Sequence, residues 1–195
     1  MSVLTQRLTD FSQIAYLYNT RLKRDFPKNE LKSLDAMQRS WLRDAYDCYG
    51  LVDGNNVLGY AFFVRRGRDY LLDYLAIVEG HRDEGLGSLF IRQLTDCVQG
   101  ADCIVCEVED PEKAEDGETR RQRDRRRQFY LKNGYRETEL TSTVFGVNYR
   151  ILEIPTGTEH TDEQLCAAYT GLYRSTLPER FFRTEFKVFL NKNSV

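Results

Sequence analysis

The chain has 195 residues, of which 41% are hydrophobic and 12% aromatic, and its formal net charge is −2. This composition excludes a disordered chain and a uniformly basic surface, so contact with nucleic acid or an anionic membrane would require a local patch. No apolar run approaches the roughly twenty residues of a membrane span. Because residues 1–7 lack the charged and apolar regions of a secretion signal, we expect a cytoplasmic protein.

Two helices, a hairpin and a third strand are predicted in the first half of the chain. Apolar residues at helical spacing predict helices over 11–26 and 34–45. Strands are predicted over 46–52, 57–64 and 70–78, and the turn Asp53-Gly54-Asn55-Asn56 joins the first two as a hairpin.

The second half alternates helices and strands. A helix from Gly85 to about Gly100 is followed by a strand over 103–108, a charged segment over 109–127 and a short helix over 128–133. Strands over 135–139 and 148–154 come next, and Thr161 opens a further helix with a capping box before an aromatic tail over 181–190. This order predicts an α/β fold with a mixed, mostly antiparallel sheet flanked by helices.

The cysteines and histidines favour neither disulfides nor a metal site. Five cysteines form an odd number without framework spacing, which predicts reduced thiols. Cys103 and Cys106 match C-x-x-C but lie in an apolar strand, not at a helix N-terminus, so we interpret them as buried strand residues. His81 and His160 have no clustered ligands around them in the sequence.

The loop from Arg82 to Ser88 joins a predicted strand to a predicted helix. Gly85 and Gly87 allow a tight turn and a close approach of the backbone to a ligand. The first free amides of the following helix would suit a pyrophosphate. The alternative is a simple strand-to-helix turn, since short glycine patterns are common.

Two motifs at a suitable separation give a more specific interpretation. The strand end Tyr74-Leu75-Ala76-Ile77 with Arg82-x-x-Gly85-x-Gly87, and the segment from Phe129 to Tyr135, together resemble the GCN5-related N-acetyltransferase (GNAT) superfamily. The resemblance covers about residues 4–154. It implies a GNAT domain over 1–156 with a C-terminal helical extension over 157–195. It also implies direct transfer of an acetyl group from acetyl-CoA, without a metal, to a primary amine of a small molecule or peptide.

The resemblance also assigns residues to the binding of acetyl-CoA. In this family the strand before the turn pairs with the pantetheine arm, which implies contacts from Leu75, Ala76 and Ile77. The turn holds the pyrophosphate, which implies a phosphate loop formed by Arg82, Asp83, Glu84, Gly85, Leu86, Gly87 and Ser88. Family members often place small or basic residues where this chain has Asp83 and Glu84, so we expect these two side chains to face water. Asn133 is expected either to contact the cofactor or to cap its helix.

Acetyl transfer requires a proton donor for the departing thiolate and a base for the amine. Tyr130 resembles the family tyrosine beside the cofactor sulfur and is the predicted donor, although it could instead only pack with its neighbours in a short helix. Glu107 and Glu109 leave one face of their strand, and Glu107 is the predicted base. The alternative for both carboxylates is a solvated strand end. Asp73 is a second candidate base.

Three carboxylates are predicted to bind the acceptor. Glu30 lies in the turn between the first two helices, where the family usually builds its acceptor pocket, so it is a candidate to bind a cationic substrate. Asp73 and Glu109 complete this set of substrate-binding candidates.

The arginine-rich run over 120–127 has acidic residues immediately before it, which favours an ion-paired helix start. The alternatives are contact with the 3′-phosphate of CoA, an acidic partner or nucleic acid. The arginines are not interleaved with aromatic residues, so we expect no nucleic-acid partner. A second interpretation of the whole chain is a non-catalytic acyl-CoA-binding or interaction module. The apolar face of the extension is expected to cover the sheet or to form a homodimer.

Overall fold

The computed structural model describes residues 3–154, 156 and 158–191, which form two compact units. Unit 1 contains the described residues up to Arg65 together with Leu72–Gly100, and unit 2 contains Arg66–Leu71 and the described residues from Ala101 onward. The predicted domain boundary between 156 and 157 adjoins residues 155 and 157, which lie outside the described residues, and it stays a prediction.

Unit 1 holds four strands in the order β1-β2-β3-β4, and β2 pairs antiparallel with both β1 and β3. The first three residues of β4 and the last of β3 belong to unit 2. The first helix is capped by Asp10, whose side chain accepts from the Ser12 N–H at 2.8 Å and which forms a capping box with Gln13. The elements are β1 (Leu4–Arg7), α1 (Phe11–Leu17), a π-helical turn (Tyr18–Leu22), α2 (Lys23–Asp25), α3 (Leu34–Leu42), β2 (Tyr46–Asp53), β3 (Asn56–Arg66), β4 (Asp69–Ile77) and α4 (Leu86–Cys97).

The end of β4 is held close to β3 at Gly59. A Cβ atom at this position would lie 2.8 Å from Ile77 Cδ1 and 2.9 Å from the Ala76 carbonyl oxygen, which is closer than real Cβ contacts allow. One residue further, the Val78 N–H donates to the Leu58 carbonyl at 2.8 Å. The absence of a side chain at Gly59 therefore sets the position of the strand end to which the resemblance assigns pantetheine contacts.

Unit 2 holds four strands in the order β5-β7-β6-β8, all paired antiparallel. Its core includes Ile104, Leu140, Ile151, Leu165 and Leu172, each at most 2% exposed. The elements are β5 (Cys103–Glu109), a 3-10 turn (Pro111–Lys113), α5 (Gly117–Lys132), β6 (Arg136–Val144), β7 (Val147–Ile154), α6 (Asp162–Thr176), α7 (Glu179–Glu185) and β8 (Phe186–Leu190).

The predicted α/β class with mostly antiparallel strands flanked by helices is confirmed. The capping box of Thr161 is also confirmed, with its side chain accepting from the Gln164 N–H. Two edge strands, β1 and β8, were not predicted. The extension is therefore not purely helical, because β8 pairs with β6 after α6 and α7.

The helix predicted over 128–133 begins eleven residues earlier, at Gly117. Asp116 caps it by accepting from the N–H groups of Glu118 and Thr119, both at 2.8 Å. The helix carries mainly polar and charged residues and presents no apolar stripe before Phe129. The apolar periodicity used for the prediction therefore could not detect its first three turns.

All five cysteines are free thiols in the structure. Burial raises the pKa of the Cys103 thiol to about 12 and the pKa of Cys106 well above its ordinary value, so neither forms a thiolate readily.

Among the described residues, no helix has both the length and the apolar character to cross a membrane. Within the same residues, no group of three or more His, Cys, Asp or Glu side chains could hold a metal ion.

Replacing Gly59 by Ala should separate β3 from the end of β4. We expect the free energy of unfolding to fall by about 1–3 kcal/mol, as in other overpacked sites, when measured by chemical denaturation. Gly50→Ala is the matched control, because its Cβ would meet side chains at ordinary distances of 3.6 and 3.7 Å. Equal stability of the two variants would contradict the close-approach role of Gly59.

Candidate functional site

The phosphate loop leads into α4 through a left-handed residue. Gly85 is the N-cap of this helix, with φ 77° and ψ 0°, a conformation that glycine adopts without the Cβ penalty. No side chain of the described residues caps the first amides of α4. These N–H groups, together with the positive end of the helix dipole, can therefore bind an anion.

The side chains before Gly85 lie at the surface. Arg82 is exposed and its Nε donates to the Ile77 carbonyl at 3.4 Å. Asp83 has a φ of 66°, and its side chain and that of Glu84 are exposed. Glu84 approaches His81 Nδ1 at 3.5 Å. An anion held by the α4 amides would therefore meet backbone donors and not buried carboxylates.

The strand before the loop is half-buried at its end. Leu75, Ala76 and Ile77 are each of intermediate exposure, whereas Tyr74 in the same strand is buried. The end of β4 therefore remains partly accessible within unit 1.

Asp73 is already paired within unit 1. Its carboxylate forms an ion pair with Lys32 and accepts from the Tyr46 hydroxyl at 2.5 Å, and its side chain is 7% exposed. Burial, with a further contribution from Asp73, raises the pKa of Tyr46 well above its ordinary value, so this phenol stays a donor. The negative charge of Asp73 is therefore compensated by an ammonium of the chain itself.

Glu30 lies in a loop that β4 anchors. The Lys32 N–H donates to the Tyr74 hydroxyl at 2.9 Å, and this hydroxyl donates to the Glu30 carbonyl oxygen, also at 2.9 Å. The backbone around Glu30 is thus fixed by a buried tyrosine while the residue itself remains half-buried.

Tyr130 occupies the last turn of α5 and is 8% exposed. Its ring lies 5.3 Å from that of Phe129 and 5.1 Å from that of Tyr135, centroid to centroid. Burial, and next the nearby Cys106, raise the pKa of Tyr130 above its ordinary value. Among the described residues its hydroxyl has no hydrogen-bond partner. Tyr130 is therefore a protonated donor whose proton is not engaged within the described chain.

Asn133 follows Tyr130 at the end of the same helix. Its Nδ2 donates to the Phe129 carbonyl at 2.7 Å, and it is the C-cap residue of α5. Of the two roles predicted for Asn133, the structure displays the capping contact.

Glu107 receives two phenol hydroxyls from α6. Tyr173 donates to its Oε1 at 2.6 Å, Tyr169 donates to the same oxygen, and Ser142 lies 2.9 Å from the Tyr169 hydroxyl. Because side chains alternate along a strand, Glu107 and the Cys106 beside Tyr130 leave opposite faces of β5. Unit 2 therefore does not bring Glu107 and Tyr130 to the same face of this strand.

Glu109 and the arginine-rich run form ion pairs. Glu109 lies 3.3 Å from Arg123 and 2.6 Å from Arg126. Arg120 pairs with Glu112 at 2.6 Å, and Arg127 forms a two-pronged pair with Glu137. Four arginines of the run therefore bind carboxylates of unit 2, as an ion-paired helix start requires.

A surface cavity of about 360 Å³ lies beside the start of α5. It carries both signs of charge, so it presents no uniformly positive field to an anion. Its lining residues are Pro111, Glu112, Arg120, Arg121, Asp124, Arg127 and Arg150.

The two tyrosines of α6 were not predicted as site residues. Tyr169 and Tyr173 both lie in α6, one turn apart. The spacing of i and i+4 shows that both share a helix face, but no local pattern indicates that they contact a carboxylate more than sixty residues earlier.

Comparison with known proteins places these features in a family. The model of the acetyltransferase (GNAT) family matches residues 14–135. A search of curated protein sequences gave no match.

Solved structures share the fold at low sequence identity. A protein described as a GNAT-family acetyltransferase from Bacteroides thetaiotaomicron is 18% identical, with a TM-score of 0.67 over 87% of this chain and 95% of its own. The ribosomal-protein-S18-alanine N-acetyltransferase of Escherichia coli is 14% identical, with a TM-score of 0.58 over 82% and 97%. An aminoglycoside 6′-N-acetyltransferase complexed with coenzyme A is 13% identical, with a TM-score of 0.57 over 80% and 99%.

The family model spans more than half of the chain and includes the phosphate loop, Glu107 and Tyr130. It ends at Tyr135, so α6 and β8 lie outside it. The chain belongs to the acetyltransferase (GNAT) family.

Proposed function

We propose that this acetyltransferase moves the acetyl group of acetyl-CoA directly to a primary amine of a small molecule or peptide. The proposal rests on the surroundings of Tyr130 at the end of α5. Its phenol is buried and has a raised pKa, and its hydroxyl has no hydrogen-bond partner among the described residues. A phenol that stays protonated and unengaged is suited to protonate a departing thiolate.

The reaction forms a bond between the amine nitrogen and the acetyl carbon and breaks the bond between that carbon and sulfur. The acceptor ammonium loses one proton before the attack, its nitrogen loses a second proton to solvent after the new bond forms, and the sulfur gains one proton. Because Glu107 leaves the face of β5 opposite to Tyr130, it takes the first proton of the ammonium through water and not by direct contact, and later releases it to solvent. Tyr130 gives its proton to the sulfur and regains one from solvent. The products are the acetylated amine, free CoA thiol and one proton.

The surroundings of the three candidate bases support Glu107. Glu109 pairs with two guanidinium groups and Asp73 with an ammonium, so each faces a fixed positive charge of the chain. These two carboxylates therefore already hold a cation of the chain itself. The partners that α6 offers Glu107 are neutral phenols.

Backbone groups of α4 and β4 would bind acetyl-CoA, and the loop that contains Glu30 would bind the acceptor. The amides at the start of α4 would hold the pyrophosphate, with Arg82 nearby, and the half-buried backbone of Leu75 to Ile77 would pair with pantetheine. Glu30 would bind a positive group of the acceptor. The structures with a similar fold include one enzyme named for acetylation of a ribosomal protein and one named for acetylation of an aminoglycoside. These names support both a peptide and a small-molecule acceptor.

Gly85→Ala should weaken the binding of acetyl-CoA. A left-handed alanine costs about 1–2 kcal/mol, so relaxation of the N-cap would turn the α4 amides away and lower the affinity about tenfold. Gly80→Ala is the matched control, because Gly80 also has a positive φ and open space around it but does not cap α4. Isothermal titration calorimetry measures both. Equal affinity loss in the two variants would contradict the phosphate-loop role.

Tyr130→Phe should lower kcat about 100-fold or more, as expected for loss of a general acid, and leave the affinity for acetyl-CoA within about threefold. Release of CoA thiol measures the rate, and calorimetry measures the affinity. Tyr135→Phe removes a neighbouring buried hydroxyl and should keep kcat within about threefold of the unmodified enzyme. Full activity of Tyr130→Phe would refute the proposed proton donor.

A further inference from the structure

Unit 2 contains a polar cluster that the family model does not explain. It consists of Glu107 on β5, Ser142 on β6, and Tyr169 and Tyr173 on α6, and we call it the Glu107 cluster. Three of its four members lie beyond residue 135, where the family match ends. The cluster therefore joins a residue of the family domain to the C-terminal extension.

The two tyrosines converge on a single atom. Tyr169 and Tyr173 are four residues apart, so they share one face of α6, and both hydroxyls donate to Glu107 Oε1. Two donors on one carboxylate oxygen restrict the rotation of the carboxyl group and fix the direction of its lone pairs. Two tyrosines of the C-terminal extension therefore orient the carboxylate of Glu107.

Aromatic packing fixes the tyrosines themselves. Their ring centroids are 5.2 Å apart, and the Tyr173 ring stacks on Phe186 of β8 at 4.5 Å with an interplanar angle of 25°. The ring of Phe182 also stacks on Phe186, with the two ring centroids 5.2 Å apart. Strand β8 and helix α7 thus hold the phenols in place, and the hydroxyls reach Glu107 without freedom to turn away.

Packing alone does not account for the hydroxyls. Phenylalanine at both positions would preserve the aromatic contacts, but it would remove two donors from the half-buried carboxylate of Glu107. Ser142 supplies the further polar contact that Tyr169 needs, since a buried phenol that donates its proton can still accept one. The two tyrosine hydroxyls are therefore explained by the hydrogen bonds that they donate to Glu107.

We propose that Tyr169 and Tyr173 are positioning residues that orient Glu107 for removal of a proton from the acceptor amine. This inference rests on the proposed function, in which Glu107 is the base. The C-terminal extension then contributes to catalysis, because α6 orients the Glu107 carboxylate on β5.

A double-mutant cycle tests the inference on the full chain. Tyr173→Phe is introduced into the unmodified enzyme and into the Glu107→Gln variant, and kcat and both KM values are measured by thiol release. We expect Tyr173→Phe to lower kcat about tenfold in the unmodified enzyme and less than about twofold in Glu107→Gln, because its effect passes through the carboxylate. The KM for acetyl-CoA should stay within about twofold in all four proteins.

Controls separate positioning from folding. Tyr18→Phe removes the hydroxyl of a buried tyrosine in unit 1 that does not belong to the Glu107 cluster, and it should leave kcat unchanged. Tyr169→Phe, carried through the same cycle, replaces Tyr173→Phe if that variant fails to fold. Thermal unfolding and acetyl-CoA binding establish that each protein is folded before its kinetics are compared.

The outcomes are distinguishable. An equal loss of kcat in both backgrounds overturns the inference alone, because the tyrosine would then act independently of Glu107. Full kcat in the Glu107→Gln variant overturns the assignment of the base and the inference with it, but leaves the role of Tyr130 standing. No loss of kcat for Tyr169→Phe and Tyr173→Phe in the unmodified enzyme also overturns the inference.

Discussion

Two carboxylates project from one strand of unit 2, and each must be paired or hydrogen-bonded because burial of an unpaired charge is costly. Glu109 is paired by arginines of α5, and Glu107 is hydrogen-bonded by phenols of α6. This one requirement explains two unusual features of the chain. The arginine-rich run packs its charges against Glu109 and neighbouring carboxylates, and the C-terminal extension returns to β5 with two tyrosines.

The same pairing of Glu109 also fixes the position of the proposed proton donor. Arg126 pairs with Glu109 one turn before Tyr130, so the ion pair that holds α5 beside β5 also fixes the helix end that carries the proposed proton donor. The two carboxylates have different hydrogen-bond donors: guanidinium groups pair with Glu109, and phenols of α6 donate to Glu107. Distinct surroundings for similar groups are how proteins assign different roles to them. In unit 1, the uncapped amides of α4 supply donors for an anion through the backbone alone.

Much of the fold could be predicted because its signals are local. The capping box of Thr161, the hairpin turn at Gly54 and the loop before α4 each depend on a few consecutive residues. Apolar periodicity did not reveal the first turns of α5, because ion pairs replace the apolar stripe there. The charge pattern of the arginine-rich run did indicate an ion-paired helix start. Strands β1 and β8 are short edges. The partners of Glu107 depend on a contact across more than sixty residues, which periodicity does not encode.

The proposed reaction requires that this chain transfers acetyl groups to an amine and that Tyr130 protonates the leaving sulfur. The most direct measurement incubates the purified protein with acetyl-CoA and a panel of primary amines, among them polyamines, an aminoglycoside and peptides with free N-termini. Free thiol and the acetylated amine are then quantified for the unmodified enzyme and Tyr130→Phe. We predict equal amounts of thiol and acetylated product with at least one amine, and a loss of turnover of about 100-fold or more in the variant. Binding of acetyl-CoA without turnover for every amine would contradict it and support a non-catalytic acyl-CoA-binding module.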